Sequence, residues 1–146
     1  MLKFVFSVSM LASAPLIAIC AGLPLVAMID ELPAALFATL PDDHPLPELD
    51  VTASYTPVDG WHLKIEVENF VFTDLCISEA KALARGHAHV HLGAEKIVTA
   101  YQPHIVIGHL PSGTHEITVS LRAQDHRVLG RPGGGMFVKT LLIKAP

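Results

Sequence analysis

The sequence predicts an all-β protein: an antiparallel, immunoglobulin-like β-sandwich of about seven strands, preceded by an N-terminal apolar signal or anchor helix. Three observations predict it. From Leu49 onward, short runs alternate apolar and polar residues, the period of a strand with one face buried. Turns such as Pro57-Val58-Asp59-Gly60 and Pro111-Ser112-Gly113 separate these runs at intervals of roughly eight to twelve residues. Within that region only Ser78-Glu79-Ala80-Lys81-Ala82-Leu83-Ala84 is rich in helix formers, enough for one short helix.

Taken in order, the chain begins with Lys3 and then carries no charged residue from Phe4 to Ile29, where Asp30 and Glu31 follow. A positive flank and an apolar run form the pattern of an export signal or a membrane anchor. The run exceeds the roughly 7–15 residues of a signal-peptide core and is long enough to span a hydrocarbon layer of ~30 Å. Residues 1–29 are therefore read as a signal peptide or a retained anchor, and the destination as the periplasm or another extracytoplasmic space, with attachment to the inner membrane if the segment is kept. Pro15, Pro24 and the lack of a polar face argue against a buried core helix. Residues 30–48 read as a spacer, because Pro33, Pro41, Pro45 and Pro47 favour an extended connection, although Pro33-Ala34-Ala35-Leu36-Phe37-Ala38 can make a helical turn or two. Residues 49–146 are the sandwich domain.

In that domain Leu49, Val51, Ala53 and Tyr55 alternate with polar residues, and Trp61, Leu63, Ile65 and Val67 alternate with His62, Lys64, Glu66 and Glu68; the two runs predict an antiparallel pair. Residues 86–92 meet the turn Gly93-Ala94-Glu95 and return as residues 96–101, a hairpin signal. Short strands follow at residues 105–107, at 115–121 with Ile117, Val119 and Leu121 inward, and at 137–143 after the loop 130–135.

Charge and chemistry exclude several functions. Ten Lys and Arg against fourteen Asp and Glu give a net charge of −4 with no basic cluster, which argues against nucleic acid or an anionic membrane surface as partner. Neither a nucleophile elbow, a phosphate-cradling glycine loop nor a pair of carboxylates suited to acid–base work is present, so binding is favoured over catalysis. Cys20 lies in the apolar leader and Cys76 stands alone in the polar part, so no disulfide framework follows.

The chemistry that remains is in the histidines, nine in all. In Gly86-His87-Ala88-His89-Val90-His91-Leu92 the three histidines project from one strand face while Ala88, Val90 and Leu92 enter the core. Neighbours two apart on a strand face stand roughly 6.5–7 Å apart at the backbone, so two rings reach one ion. Imidazole suits copper, zinc, nickel or iron. The metal set read from the sequence is His87, His89 and His126, with His91 and His104 as further candidates. Asp125 beside His126 at a turn is read as a carboxylate that either orients the imidazole from behind or caps the loop. His115, in phase with Ile117 and Val119, is read as bonded to loop backbone instead. Ligands must shed their protons, so metal affinity is expected to weaken as pH falls through the ordinary histidine range. The alternative reading is a metal-free module in which loops at one end of the sandwich contact a partner and the histidines are a polar sheet face.

Gly86-His87-Ala88-His89-Val90 with Gly93 and Lys96-Ile97, then Leu110-Pro111-Ser112-Gly113-Thr114-His115 and Leu121-Arg122-Ala123-Gln124-Asp125-His126, resembles a group of exported bacterial proteins with a GHAHVY, LPxGxH and LNANDH pattern. The likeness extends over residues 61–129. It implies a small cell-envelope β-sandwich with a histidine cluster and copper or another transition metal as its ion, the residues shared by position being His87, His89, His115, Asp125 and His126. A copper ion, or zinc, is the expected cofactor, and an envelope protein an expected partner. His91 and Gln124 depart from the pattern, which has an aromatic residue and Asn there. A His-x-His strand is also similar to the start of the copper site in copper–zinc superoxide dismutases, which would imply an enzyme. Those proteins need a bridging histidine, a zinc loop and a disulfide-paired cysteine, whereas this chain offers only His104 and His109 before the next turn and an isolated Cys76.

Overall fold

The computed structural model describes residues 36–74 and 84–146. The apolar run 1–29 and almost all of the helix read at residues 78–84 lie outside them. Ala84, the last residue of that run, opens a strand instead.

The described residues form ten strands: β1 (Phe37–Thr39), β2 (Glu48–Thr56), β3 (Gly60–Glu68), β4 (Phe70–Phe72), β5 (Ala84–Leu92), β6 (Glu95–Ala100), β7 (His104–Gly108), β8 (Gly113–Ala123), β9 (Val128–Gly130) and β10 (Val138–Ala145). They build two sheets. One holds β2, β3 and β7 in the order β2-β3-β7; the other is centred on the antiparallel pair β5 and β8, with β6 and β4 beside β5, and β10 and β9 beside β8. The all-β, two-layer expectation holds.

Alternation explains the layers. Val51, Leu63 and Ile65 of the smaller sheet and Ala88, Val90, Ala100, Ile117, Val119 and Leu121 of the larger one bury together in a single core, closed by Phe137 and Ile143. Ala88, Val90, Ile117, Val119 and Leu121 are fully buried, in the phase read from the sequence. Lys64, Glu66 and Glu68 point to solvent, as the same alternation requires.

The sheet differs from a purely antiparallel one in two places. β1 pairs with β9 in parallel, Phe37 opposite Val128, so residues read as spacer add an edge strand. β4 pairs with β5 in parallel, Phe70 opposite Ala84, across a connection of the roughly dozen residues that parallel neighbours need. Both parallel strands are three residues long and at the margin of the sheet. Among the described residues no helix is long and apolar enough to cross a membrane.

Candidate metal centre

The candidate centre sits on the face of β5 and β8 turned away from the core. In the register of this pair His87 stands opposite Arg122, His89 opposite Ser120 and His91 opposite Thr118. On the other side of β5, His89 faces Thr99 of β6. Residues directly opposed across strands share a face, so the imidazoles, Arg122 and Ser120 form one polar patch backed by Ala88 and Val90. This face is not open to solvent at its centre: His87 is 2% exposed and Ser120 5%.

β5 reaches β8 closely because the first of its residues to pair with β8 is a glycine. Gly86 lies opposite Ala123 with φ +156, and a Cβ there would stand 1.9 Å from the Arg122 carbonyl oxygen. His87 therefore follows immediately on a close approach between the two strands.

The third imidazole comes from the turn that ends β8. His126 N–H donates to the Ala123 carbonyl at 3.0 Å and Ala123 N–H to the Arg127 carbonyl at 2.9 Å, closing a short hairpin into β9. His126 occupies the left-handed region with φ +69, one of two non-glycine residues among those described to do so. That conformation disfavours side chains, though His, Asn and Asp tolerate it best. It turns the His126 ring back over β5, with its centroid 4.5 Å from that of His87 and 6.2 Å from that of His89. The His87 and His89 rings are 5.1 Å apart.

One ligand nitrogen from each of His87, His89 and His126 lies within 4.8 Å of the others. Three nitrogens bound tetrahedrally at 2.0–2.1 Å from an ion sit roughly 3.3 Å from one another, so closure requires movements of no more than ~1.5 Å. His87 Nε2 and His89 Nε2 are buried and have no hydrogen-bond partner among the described residues, a state that costs about 1–3 kcal/mol per atom unless a ligand relieves it. The three residues chosen from the sequence as the metal set are thus brought together and can hold a metal ion.

No protein-family model matches the chain. Searches of curated proteins and of solved structures likewise find no match. The reading of this centre therefore stands on its geometry and chemistry.

The other sequence candidates fall elsewhere. The His91 ring lies 6.3 Å from that of His89, tilted by 57°, but outside the group of three, past an irregularity in the β5–β6 register at Val90 and His91. His104 is exposed on β7, in the other sheet, opposite Lys64. Asp125 does not back His126: its carboxylate accepts from Arg127 N–H at 3.1 Å and Arg127 Nε–H at 2.7 Å, which braces the turn. His115 behaves as read, with Nε2 2.7 Å from the Pro111 carbonyl. Sequence reasoning gave no role to Arg122, Ser120 or Tyr101, whose ring lies 5.2 Å from that of His87. Only the cross-strand register reveals the first two.

The surroundings keep His87 and His89 neutral. Burial, then the positive charges around His126, Arg122 and Lys96, hold His87 at a pKa of about 4; burial, then Arg122, Lys96 and the neighbouring histidines, do the same for His89. His91 is lowered as well, first by burial. At these two ligands the pH window lies below the one expected from the sequence. At His87 and His89 protons compete with a metal ion only as pH approaches 4, rather than near 6.5. A linked expectation concerns the metal-free fold. Its stability should be unaffected by these two groups above pH 6.5, and should fall between about 6.5 and 4 as the unfolded chain takes up protons that the folded chain refuses. Below about 4 the decline from these two groups should level off. Denaturant midpoints measured from pH 8 to 3.5 for wild type and for His87→Gln would check it, the variant losing part of that slope.

The strain at His126 makes a separate prediction. His126→Gly should raise the stability of the metal-free protein by about 1 kcal/mol, since glycine accepts φ +69 freely. The same change should weaken metal affinity at least tenfold by removing the third imidazole, which calorimetry would register.

Proposed function

We propose that this chain is an exported transition-metal-binding protein of the cell envelope, with copper as its ion and binding or delivery, rather than catalysis, as its role. The observation that carries the reading is the convergence of three imidazoles, from two alternate positions of one strand and a strained turn, with two of their nitrogens buried and unpartnered among the described residues. Copper is favoured because the donors are all nitrogen, and divalent affinity at such sites peaks at Cu(II). Zinc is the second choice on the same chemistry. The uncharged run of residues 4–29 supports export or anchoring. The likeness of residues 61–129 to exported bacterial proteins supports the envelope setting, and the spacing of strands and turns supports an immunoglobulin-like form for the two sheets.

The deciding experiment is titration of the full chain with Cu(II), Cu(I) and Zn(II) beside the His87→Ala, His89→Ala double variant. Stoichiometric binding lost in the variant upholds the reading. Equal weak uptake by both overturns it in favour of a metal-free interaction module. Cell fractionation with N-terminal sequencing tests the export half, and a cytoplasmic location with residues 1–29 intact would refute it.

A further inference from the structure

Five buried side-chain nitrogen or oxygen atoms have no hydrogen-bond partner among the described residues: Trp61 Nε1, His87 Nε2, His89 Nε2, Ser120 Oγ and Arg122 Nε. Four of them belong to one patch, because His87 pairs with Arg122 and His89 with Ser120 across β5 and β8. Opposed residues stand about 4.5–5.5 Å apart and same-face neighbours roughly 6.5–7 Å apart, so the patch measures about 5 by 7 Å. A metal ion bound through Nε2 of His87 and His89 would relieve two of the four atoms. Ser120 Oγ and Arg122 Nε remain, and both can donate a hydrogen bond.

The charge balance of the patch is also incomplete. The ion pairs of the described residues involve His62, Lys64, Arg127 and Lys139, and none engages Arg122. The three imidazoles bring no negative charge, so a bound cation would face the guanidinium with only neutral ligands between them. Two like charges held this close repel unless an anion lies between them. A tetrahedral ion with three protein ligands keeps one position open.

We propose that the centre is composite: the ion on His87, His89 and His126 takes a small carboxylate-type oxyanion as its fourth ligand, and the anion's second oxygen accepts from Arg122 Nε–H and Ser120 Oγ–H. This rests on the metal-binding reading above. A carboxylate has the shape for it, with one oxygen for the metal and one for the guanidinium edge, where charge-assisted hydrogen bonds are strongest. The anion would satisfy the last two orphaned atoms of the patch and separate the two cations. The centre would then recognise a metal ion and a small oxyanion together, each raising the affinity for the other by the same factor.

The test is Cu(II) titration of the full chain in a chloride-free, non-coordinating buffer, with and without formate as the probe anion. Formate should tighten Cu(II) binding at least tenfold in wild type. In Arg122→Gln the formate effect should shrink below twofold, while Cu(II) without formate binds at least as tightly as in wild type because the repulsion is gone. Arg122→Lys, which keeps the charge but loses the fork, should also lose most of the effect and guards against a folding defect in the first variant. An unchanged wild-type affinity in formate, or a full formate effect in both variants, would overturn the composite centre while leaving the metal reading intact. Absence of stoichiometric Cu(II) binding by wild type under either condition would overturn both.

Discussion

Replacing His87 and His89 together with alanine should reduce affinity for Cu(II) or Zn(II) by at least 100-fold while leaving the fold in place. The first half follows from geometry: the variant keeps one of the three nitrogens that lie within 4.8 Å of one another, and a lone exposed imidazole does not make a chelate. The second half follows from what the two side chains do not do. Their Nε2 atoms have no hydrogen-bond partner among the described residues, and they project away from the core built by Ala88, Val90, Val119 and Leu121. Truncation therefore removes packing on the outer face but leaves no broken hydrogen bond at these atoms, and metal-free stability should change by less than about 2 kcal/mol. Thermal unfolding separates the two effects. At a free-metal concentration of about 1,000 times Kd, wild type should gain roughly 4 kcal/mol, a rise in Tm of more than ~10 °C. The double variant should gain nothing. A variant that unfolds without metal present would show instead that the imidazoles hold the sheet together.

The part of this arrangement legible in the sequence is the part that a period of two can encode. Alternation places Ala88, Val90, Ile117, Val119 and Leu121 in the core, and so places His87, His89 and His91 together on the opposite face. It assigns a face, however, and not a neighbour. That Arg122 and Ser120 oppose His87 and His89 depends on the β5–β8 register, which pairs residues 35 and 31 positions apart in the chain. The short parallel strands β1 and β4 escaped for a similar reason: three residues carry too little pattern to show a period, and strand direction leaves no local mark. His104 shares a residue type with the ligands but falls on β7 in the other sheet, a separation that spacing cannot reveal. His126 was legible because it follows a strand at a turn. Of the two roles read for Asp125, the loop brace fits and the support of His126 does not, because Arg127 two residues on captures its carboxylate at 2.7 Å.

Gly86→Ala should be the most damaging single substitution near the centre, lowering stability by about 3 kcal/mol or more and Tm by over ~10 °C. An added Cβ meets the Arg122 carbonyl oxygen at 1.9 Å and backbone carbons of Ala123 and Arg122 at 2.9 and 3.0 Å. These are main-chain atoms of a paired central strand and cannot rotate aside. The glycine is held from its other side too, since its carbonyl accepts from Thr73 N–H at 2.8 Å. Relief therefore means parting β5 from β8 at the end where His87 begins and the His126 turn leaves. Metal affinity should fall at least tenfold in whatever fraction folds, measured by calorimetry on the refolded protein. Gly93→Ala supplies the comparison. Gly93 has φ +57 and nothing within 4 Å of an added Cβ, so that variant bears only the left-handed backbone penalty of about 1–2 kcal/mol and should bind metal as wild type does. If the two variants lose equal stability and both keep their metal, the close approach at Gly86 is not what sets the imidazoles in place. A loss of metal confined to Gly86→Ala would make that glycine the backbone condition for the centre.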